Sequence, residues 1–286
     1  MVVSTTRFAV FGQELYYEES IRAIEFFQDV PEHDRLSARI AEQLPYPSPA
    51  TRLRVATKIV QRFFKSPDGK SHAGPFLKLV NGLKSEPARR DLLYWRTART
   101  DSLITAIAGE IFYPYFVLNE PPQGYDEASF RMANTAALFA VDRVISLDFA
   151  VEYARRIWDF DSARTVTLAL RIMKQAGMID SANVEVGEHR VLSYYPLPHS
   201  LSPEVFAYCV YEEFLDADSA PAISLDRLYN GDCVRLFLLS RLQANSMLKS
   251  LEQSGLIERT TLRGARHVRL TSPHMEALAS SLIPSA

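Results

Sequence analysis

The stretch that decides the fold is residues 240–270, SRLQANSMLKSLEQSGLIERTTLRGARHVRL. Its first half predicts a helix, because apolar residues recur at steps of three and four and form one buried stripe. The residues of this stripe are Ala244, Met247, Leu248 and Leu251. Ser240 is a residue type that caps the start of a helix, and Gly255 is one that follows its end. We therefore expect a helix from Ser240 to about Ser254.

The second half of the stretch predicts a β-hairpin. Residues 256–261 and 266–270 have strand-like patterns, and Arg263-Gly264 between them predicts a tight turn. Upstream, helical patterns cover 203–214 and 225–228, whereas the apolar segment 232–239 is compatible with helix or strand. Helices followed by a helix that leads into a hairpin are typical of a winged helix-turn-helix, which we predict for residues 201–286.

Residues 146–200 repeat the same order more weakly. Helices are predicted at 147–158, after Ser146, and at 162–176, before Gly177, and they are followed by strand patterns at 178–186 and 190–195. We predict a second winged-helix-like unit in this region.

Residues 1–145 have helical patterns separated by proline-rich breaks and almost no strand pattern, so they predict an all-helical domain. The expected fold class is therefore mainly α. It consists of a helical N-terminal domain followed by two winged helix-turn-helix units with short β-hairpins.

The C-terminal unit carries side chains that suit nucleic acid. A helix fits the major groove of DNA, and guanidinium and amide groups near its start can pair with base edges. The predicted base contacts are Arg241, Gln243 and Asn245, and the predicted phosphate contacts on the helix are Ser246 and Lys249. The hairpin adds Arg259, Arg263, Arg266, His267 and Arg269. We predict that these residues bind duplex DNA.

The hairpin of the middle unit contrasts with this one. It carries Asp180, Glu185 and Glu188, which would repel phosphate, so that unit is better interpreted as a protein-contact module or a spacer. Winged helices also serve as dimerisation or docking domains, and this alternative stays open for both units.

A second basic surface is predicted on the helix 51–65. The net charge of the chain is −2, but residues 52–99 contain 12 Lys and Arg against 3 Asp and Glu. Four of the basic residues form one helical stripe that can follow a phosphate backbone: Arg54, Lys58, Arg62 and Lys65. Four more extend the patch: Arg89, Arg90, Arg96 and Arg99. The alternative is a solvated face that pairs with the acidic segment 11–34.

The sequence offers no constellation for catalysis, so we expect a protein that is not an enzyme and has no cofactor. Gly69-Lys70-Ser71 lacks the glycine that a phosphate-binding loop needs five residues earlier, and the six histidines are dispersed. Asp159 and Asp161, and Asp216 and Asp218, are expected at helix boundaries rather than in a metal site.

Cellular location is indicated by three weaker features. Cys209 and Cys233 lie in apolar surroundings and are expected to be core thiols of a reducing compartment. No signal peptide is evident, and the longest apolar stretch, 103–118, is broken by Glu110 and Pro114. We expect a soluble, cytoplasmic protein with no membrane partner.

The order of features resembles the BrxA family of BREX phage-exclusion systems. The resemblance rests on LYYEESIRAI from Leu15, on SPATRLR from Ser48 through IVQRF from Ile59, on 92–116, and on RIMKQAGMI from Arg171 together with the closing winged segment. Membership would imply a non-enzymatic DNA-binding component of an anti-phage complex. It would also imply a helical N-terminal domain like those of antitermination factors.

The expected domains are 1–145, 146–200 and 201–286, and the expected function is that of a DNA-binding accessory subunit in phage defence. Its expected partners are double-stranded DNA and other subunits of a defence complex, and homo-oligomer formation stays open. Two alternatives remain: a protein–protein adaptor that uses its winged domains, and a transcriptional regulator that reads sequence through the helix 240–254.

Overall fold

The computed structural model describes residues 14–27, 35–65, 73–140, 142–215, 222–262 and 264–283. Within these ranges the chain is mainly helical with two small antiparallel sheets, which confirms the predicted class at that level. The described residues form two compact units, each assembled from separate stretches of sequence. The first unit contains Glu14, Asp101–Ser200 and Val234–Ala244, and the second contains the described parts of Leu15–Thr100, Leu201–Cys233 and Asn245–Ala286.

In the described residues up to 144, the regular elements are helices. Its α-helices are α1 (Tyr17–Phe27), α2 (Leu36–Gln43), α3 (Pro49–Ile59), α4 (Gly74–Gly82), α5 (Glu86–Thr100), α6 (Ser102–Ala106), α7 (Glu127–Ala133) and α8 (Ala136–Phe139). Two of them continue as π-helical segments, α3 into Val60–Phe64 and α6 into Ile107–Leu118. Helices α5 and α6 are separated at the buried Asp101, where the chain leaves the helical conformation.

Within the described ranges, the strands follow residue 144. In chain order the elements are β1 (Ile145–Ser146), α9 (Leu147–Trp158), α10 (Ala163–Gln175), β2 (Ile179–Val186), β3 (His189–Pro196), α11 (Pro203–Phe214), β4 (Ala222–Ser224), α12 (Leu225–Tyr229), α13 (Asp232–Arg235), α14 (Arg241–Gln253), β5 (Ile257–Leu262), β6 (Ala265–Leu270) and α15 (Met275–Leu282).

The first sheet belongs to the first unit and has the order β1-β3-β2. The predicted cap at Ser146 is confirmed, because its Oγ accepts a hydrogen bond from the backbone N–H of Phe149 at 3.1 Å. Gly177 ends α10 with φ +77°, a left-handed conformation that glycine adopts without strain. Strands β2 and β3 then pair without interruption from Ile179–Pro196 to Val186–His189, which confirms the predicted hairpin.

The second sheet lies in the second unit and has the equivalent order β4-β6-β5. Gly255 follows α14 with φ +71°, and the hairpin runs from Ile257 opposite Leu270 to Leu262 opposite Ala265. The ambiguous segment 232–239 begins with the short helix α13 and contains no strand. Neither β1 nor β4 was predicted, because two or three residues are too few to show an alternating pattern.

Each unit has an aromatic core of its own. In the first unit Phe149 contacts Phe130 edge-to-face at 5.1 Å, and Tyr153 contacts Trp158 in the same way at 5.1 Å. In the second unit the ring of Phe76 lies 6.1 Å from those of Phe63 and Tyr208. These large buried rings fix the helices that position the exposed surfaces described below.

Among the helices of the described ranges, none is both long enough and apolar enough to span a bilayer.

Candidate nucleic-acid interface

The start of helix α14 is fixed by a reciprocal cap between Ser240 and Gln243. The Oγ of Ser240 accepts from the backbone N–H of Gln243 at 3.2 Å, and the Oε1 of Gln243 accepts from the backbone N–H and the hydroxyl of Ser240, both at 2.8 Å. This is a capping box with glutamine in the third helical position. The acceptor oxygen of Gln243, predicted to contact a base, is therefore already engaged in holding the helix start. Arg241 is exposed beside it.

Asn245, the next predicted base contact, is half-buried and has a partner that the sequence did not reveal. The hydroxyl of Tyr229 donates to Asn245 Oδ1 at 2.7 Å. The amide N–H groups of Asn245 are donors only, so with the oxygen engaged the side chain is poorly suited to the paired donor and acceptor contact that recognises adenine. Further along the helix, Ser246 and Lys249 are exposed, as phosphate contacts must be.

Arg259 joins the hairpin to helix α14. Its Nε lies 3.0 Å from Glu252 Oε2, and its Nη2 donates to the backbone oxygen of Asn245 at 3.5 Å. Glu252 was not among the residues predicted for this surface. The period of the helix would have revealed it, because Asn245 and Glu252 are seven residues apart and so lie on one face.

The register of the hairpin divides its basic residues between two faces. Arg259 lies opposite the buried Val268, and Arg266 lies opposite Thr261. Alternation along a strand places Arg259, Arg266 and Val268 on the same face, which is the face that contacts α14. Arg266 is exposed and forms no ion pair with any residue in the described ranges.

Arg269 lies on the opposite face of the hairpin. Its Nη2 is 3.3 Å from Glu258 Oε2 in a cross-strand pair, and both side chains are more than half exposed. His267, also on that face, is half-buried, with Nδ1 2.9 Å from the backbone oxygen of Ala265. Arg263, the remaining predicted arginine of the hairpin, lies outside the described residues.

The predicted basic stripe on residues 51–65 is interrupted. Arg54 is exposed and Lys58 and Lys65 are half-buried, but Arg62 is fully buried. The prediction for Arg62 is wrong because it assumed one regular α-helix through residue 65. The helix becomes π-helical at Val60, so the α-helical period that defined the stripe ends before Arg62. Arg62 therefore belongs to the interior of the second unit and not to a phosphate-binding surface.

The four arginines that were predicted to extend this patch all have acidic partners within the second unit. The pairs are Arg89–Glu25 at 3.3 Å, Arg90–Glu86 at 2.6 Å, Arg96–Glu212 at 2.8 Å and Arg99–Asp232 at 2.7 Å. The contact with Glu25 agrees with the alternative interpretation, in which this region pairs with the acidic segment 11–34. Three of these arginines are thus paired with residues distant along the chain, whereas Arg90 pairs with Glu86 four residues away.

The acidic residues on the first unit's hairpin are also partly paired. Lys174 Nζ lies 2.7 Å from Asp180 Oδ1, and its hydrogen bond, followed by that from the Ser181 backbone N–H, lowers the pKa of the exposed Asp180 carboxyl. Glu185 lies 3.7 Å from Arg190. The hairpin is therefore less negative than its sequence suggests.

Of the four aspartates predicted at helix boundaries, the two in the described residues lie at such a boundary. Asp159 is the C-terminal cap of α9 with φ +53°, and Asp161 is exposed in the connection to α10. Asp216 and Asp218 lie outside the described residues. Over the described part of the chain, no three His, Cys, Asp or Glu side chains are arranged to hold a metal ion.

Comparison with known proteins gives one structural neighbour and no family. No family model matches the sequence, and no curated protein matches it. A magnesium-bound crystal structure of a protein named SspB is similar with a TM-score of 0.50 at 14% sequence identity, and the match covers 97% of this chain and 86% of that one. At this identity the likeness concerns the fold alone.

Proposed function

We propose that this protein is a non-enzymatic DNA-binding subunit that contacts the phosphate backbone of duplex DNA with little discrimination between sequences. The observation that carries the proposal is the position of Arg259 and Arg266 on the hairpin face that contacts helix α14, where Lys249 is exposed. We expect this role in the cytoplasm.

The element order supports the interpretation of both sheets as winged helix-turn-helix units. In each sheet the short first strand pairs with the last strand of a hairpin, and two or more helices lie between them in the sequence. In winged proteins the helix before the hairpin enters the major groove and the hairpin lies over the adjacent backbone. In the C-terminal unit these elements would be α14 and β5–β6.

The hydrogen bonds favour phosphate contact over base recognition. The acceptor oxygens of Gln243 and Asn245 are engaged by Ser240 and Tyr229, whereas the exposed groups around them are donors and cations. Phosphate oxygens accept from donors of any geometry, but base edges require matched donors and acceptors. This argues against the alternative of a sequence-specific transcriptional regulator.

The BrxA resemblance extends the proposal to a biological setting. It rests on sequence patterns in four parts of the chain, and it would make this protein an accessory subunit of a phage-defence complex with other proteins as partners.

Salt-dependent binding tests the proposal. Electrophoretic mobility shifts are measured on duplexes of random and of selected sequence at about 50 to 200 mM salt. The two kinds of duplex should bind with similar affinity, and the logarithm of the binding constant should fall linearly with the logarithm of the salt concentration. Lys249→Ala and Arg266→Ala should each weaken binding to all duplexes and reduce the slope by about 0.9.

Arg190→Ala provides the matched control, since Arg190 is an exposed arginine on the hairpin of the first unit. It should leave the slope unchanged. No salt-sensitive complex at the lowest salt, or equal effects of Arg190→Ala and Arg266→Ala, would refute binding through this face.

A protein–protein adaptor is the second candidate, and one observation favours it. Large apolar side chains are exposed on helices α7 and α8 of the first unit: Met132 (78%), Leu138 (57%) and Phe139 (58%). Exposed apolar clusters of this kind mark interaction surfaces. Co-purification with other proteins that survives nuclease treatment, together with no DNA complex, would favour this function.

A further inference from the structure

Strand β2 differs from the other strands at the sheet edges. Edge strands expose unpaired backbone groups, and proteins usually limit this exposure with short strands, prolines, bulges or lysines. Strands β1 and β4 have two and three residues, and β5 carries Glu258 and Arg259. By contrast, β2 has eight residues, and its pairing with β3 is continuous with no bulge. Its sequence, IDSANVEV, contains no proline, lysine or arginine, and its two acidic residues, Asp180 and Glu185, have the basic partners Lys174 and Arg190.

The hairpin turn determines which backbone groups of β2 point outward. Val186 and His189 pair across the two-residue turn Gly187-Glu188 and therefore form a hydrogen-bonded pair. Because such pairs alternate along an antiparallel ladder, even-numbered residues of β2 bond to β3 and odd-numbered residues bond outward. The backbone N–H of Ser181 follows this rule, since it donates to Asp180 Oδ1 at 2.7 Å instead of to β3.

The free part of the edge is the half nearest the turn. Asp180 engages the N–H of Ser181, so the outward groups that remain are the C=O of Ser181 and the N–H and C=O of Asn183 and Glu185. None of these groups bonds to a residue within the described ranges. The side chains of Ala182, Asn183 and Glu185 are exposed, so nothing in the described chain covers this segment.

The helix that packs against β2 carries exposed apolar side chains. Helix α8 contacts β2 in the first unit, and its Leu138 and Phe139 are more than half exposed. A second copy that pairs with β2 would therefore lie on a strand next to a helix with exposed apolar surface.

The free edge is complementary to itself. If two copies pair antiparallel about Asn183, each Asn183 N–H donates to the Asn183 C=O of the other copy, and each Glu185 N–H donates to a Ser181 C=O. The two Asn183 amides meet across the two-fold axis, where each can donate and accept. Asp180 then faces Val186, and Ala182 faces Val184, so no like charges are directly opposed.

We propose that the protein forms a homodimer by antiparallel pairing of β2 with the β2 of a second copy, centred on Asn183. The symmetric pairing joins two three-stranded sheets into one sheet of six strands, and three strands are near the lower limit of a stable sheet. The edge and two apolar side chains bury less than the roughly 800 Å² per partner of a standard interface, so the dimer is weak and depends on concentration. The proposal does not depend on DNA binding.

Sedimentation velocity of the full chain over a concentration series tests it. The wild-type protein is expected to show a reversible monomer–dimer equilibrium. Asn183→Lys should abolish the dimer, because it places two ammonium groups opposite each other across the axis. Asn183→Thr, which keeps the strand uncharged, should retain the dimer. Circular dichroism melts verify that both variants fold. We expect them to fold because the side chain of Asn183 is exposed.

Cross-linking identifies the interface. In a hydrogen-bonded pair the two Cα atoms lie about 5.5 Å apart, within the range of a disulfide. Asn183→Cys should therefore form a covalent dimer under mild oxidation, whereas Glu188→Cys in the turn, distant from its symmetry mate, should not. The native Cys209 and Cys233 are buried and provide no competing thiol. A chain that stays monomeric, an Asn183→Lys variant that dimerises as wild type does, or equal cross-linking at positions 183 and 188 would overturn the proposal.

Discussion

Arg259 of strand β5 and Glu252 of helix α14 form an ion pair with 3.0 Å between Nε and Oε2. The pair links the two elements that the proposed interface combines, and it places a carboxylate where a phosphate would bind. Glu252 therefore competes with DNA for the guanidinium of Arg259.

Replacing Glu252 should strengthen DNA binding. Glu252→Gln frees Arg259 for phosphate, and the log–log salt slope should become steeper by about 0.9. The gain should not exceed about fivefold, because an exposed ion pair contributes up to about 1 kcal/mol. Glu258→Gln is the control, since it makes the same charge change beside Arg269 on the opposite face of the hairpin. Equal effects of the two variants on the slope would contradict the assignment of the binding face.

Arg54 and Arg62 should respond differently to the same substitution. Arg62→Ala removes a fully buried side chain and should lower the free energy of unfolding by about 3 kcal/mol. Arg54→Ala removes an exposed side chain and should change stability by less than about 0.5 kcal/mol. Urea denaturation of the two variants measures the difference. An Arg62→Ala variant that is stable but binds DNA more weakly would instead favour the predicted basic stripe as a phosphate-binding surface.

Glu212 should be essential for the stability of the second unit. Its carboxylate accepts from Trp95 Nε1 at 2.5 Å and from the Tyr208 hydroxyl at 2.7 Å, and it pairs with Arg96 at 2.8 Å. Glu212→Ala leaves the buried guanidinium of Arg96 without this carboxylate, which should lower the free energy of unfolding by about 3–5 kcal/mol. The exposed i, i+4 pair Glu86–Arg90 is the control, and Glu86→Ala should cost less than about 1 kcal/mol. Urea denaturation measures both losses of unfolding free energy. Similar losses from the two substitutions would contradict the expectation that the buried pair contributes more than the exposed one.

Gly231 and Gly255 should be intolerant of alanine for different reasons. A Cβ on Gly231 would lie 2.8 Å from both Glu213 Oε1 and Phe214 Cζ, so Gly231→Ala should destabilise by about 1–3 kcal/mol through overpacking. Gly255 has open space around it but φ +71°, so Gly255→Ala should cost only about 1 kcal/mol of backbone strain. Thermal melts should therefore rank Gly231→Ala as the less stable variant, and the reverse order would contradict this account.

Ionisation of Glu213 should lower the free energy of unfolding as pH rises above the ordinary pKa of a glutamate. Burial raises the pKa of Glu213, although the backbone N–H groups of Cys233 and Asp232 each donate to its carboxylate at 2.8 Å and oppose the rise. With a raised pKa the folded state binds more protons than the unfolded state, so stability falls between the ordinary pKa of about 4.5 and the higher folded value.

The variant Glu213→Gln cannot ionise and should lack this component. In urea denaturation from about pH 4 to 7, the stability of the wild type relative to Glu213→Gln should therefore decline as pH rises. Parallel curves for the two proteins would contradict the role of Glu213.

The hairpins and the helices before them could be predicted from sequence because their signals are local. Ser146 and Ser162 cap helices α9 and α10, and Gly177 and Gly255 have the positive φ expected after helix ends. Capping and turn preferences act within four or five residues, so they can be recognised without knowing the tertiary contacts. The candidate site was placed on α14 and its hairpin for the same reason.

Only the tertiary structure decided which polar groups are available at that site. By itself the sequence determined the period of each helix, the ends of α9, α10 and α14, and the existence of both hairpins. It could not determine that Arg62 is buried, that Tyr229 engages Asn245, or that Glu212 neutralises Arg96. The partners in the last two contacts are 16 and 116 residues apart, and the burial of Arg62 depends on how its helix packs. The sign of each charge can be read from the sequence, but the residue that pairs with it depends on the fold.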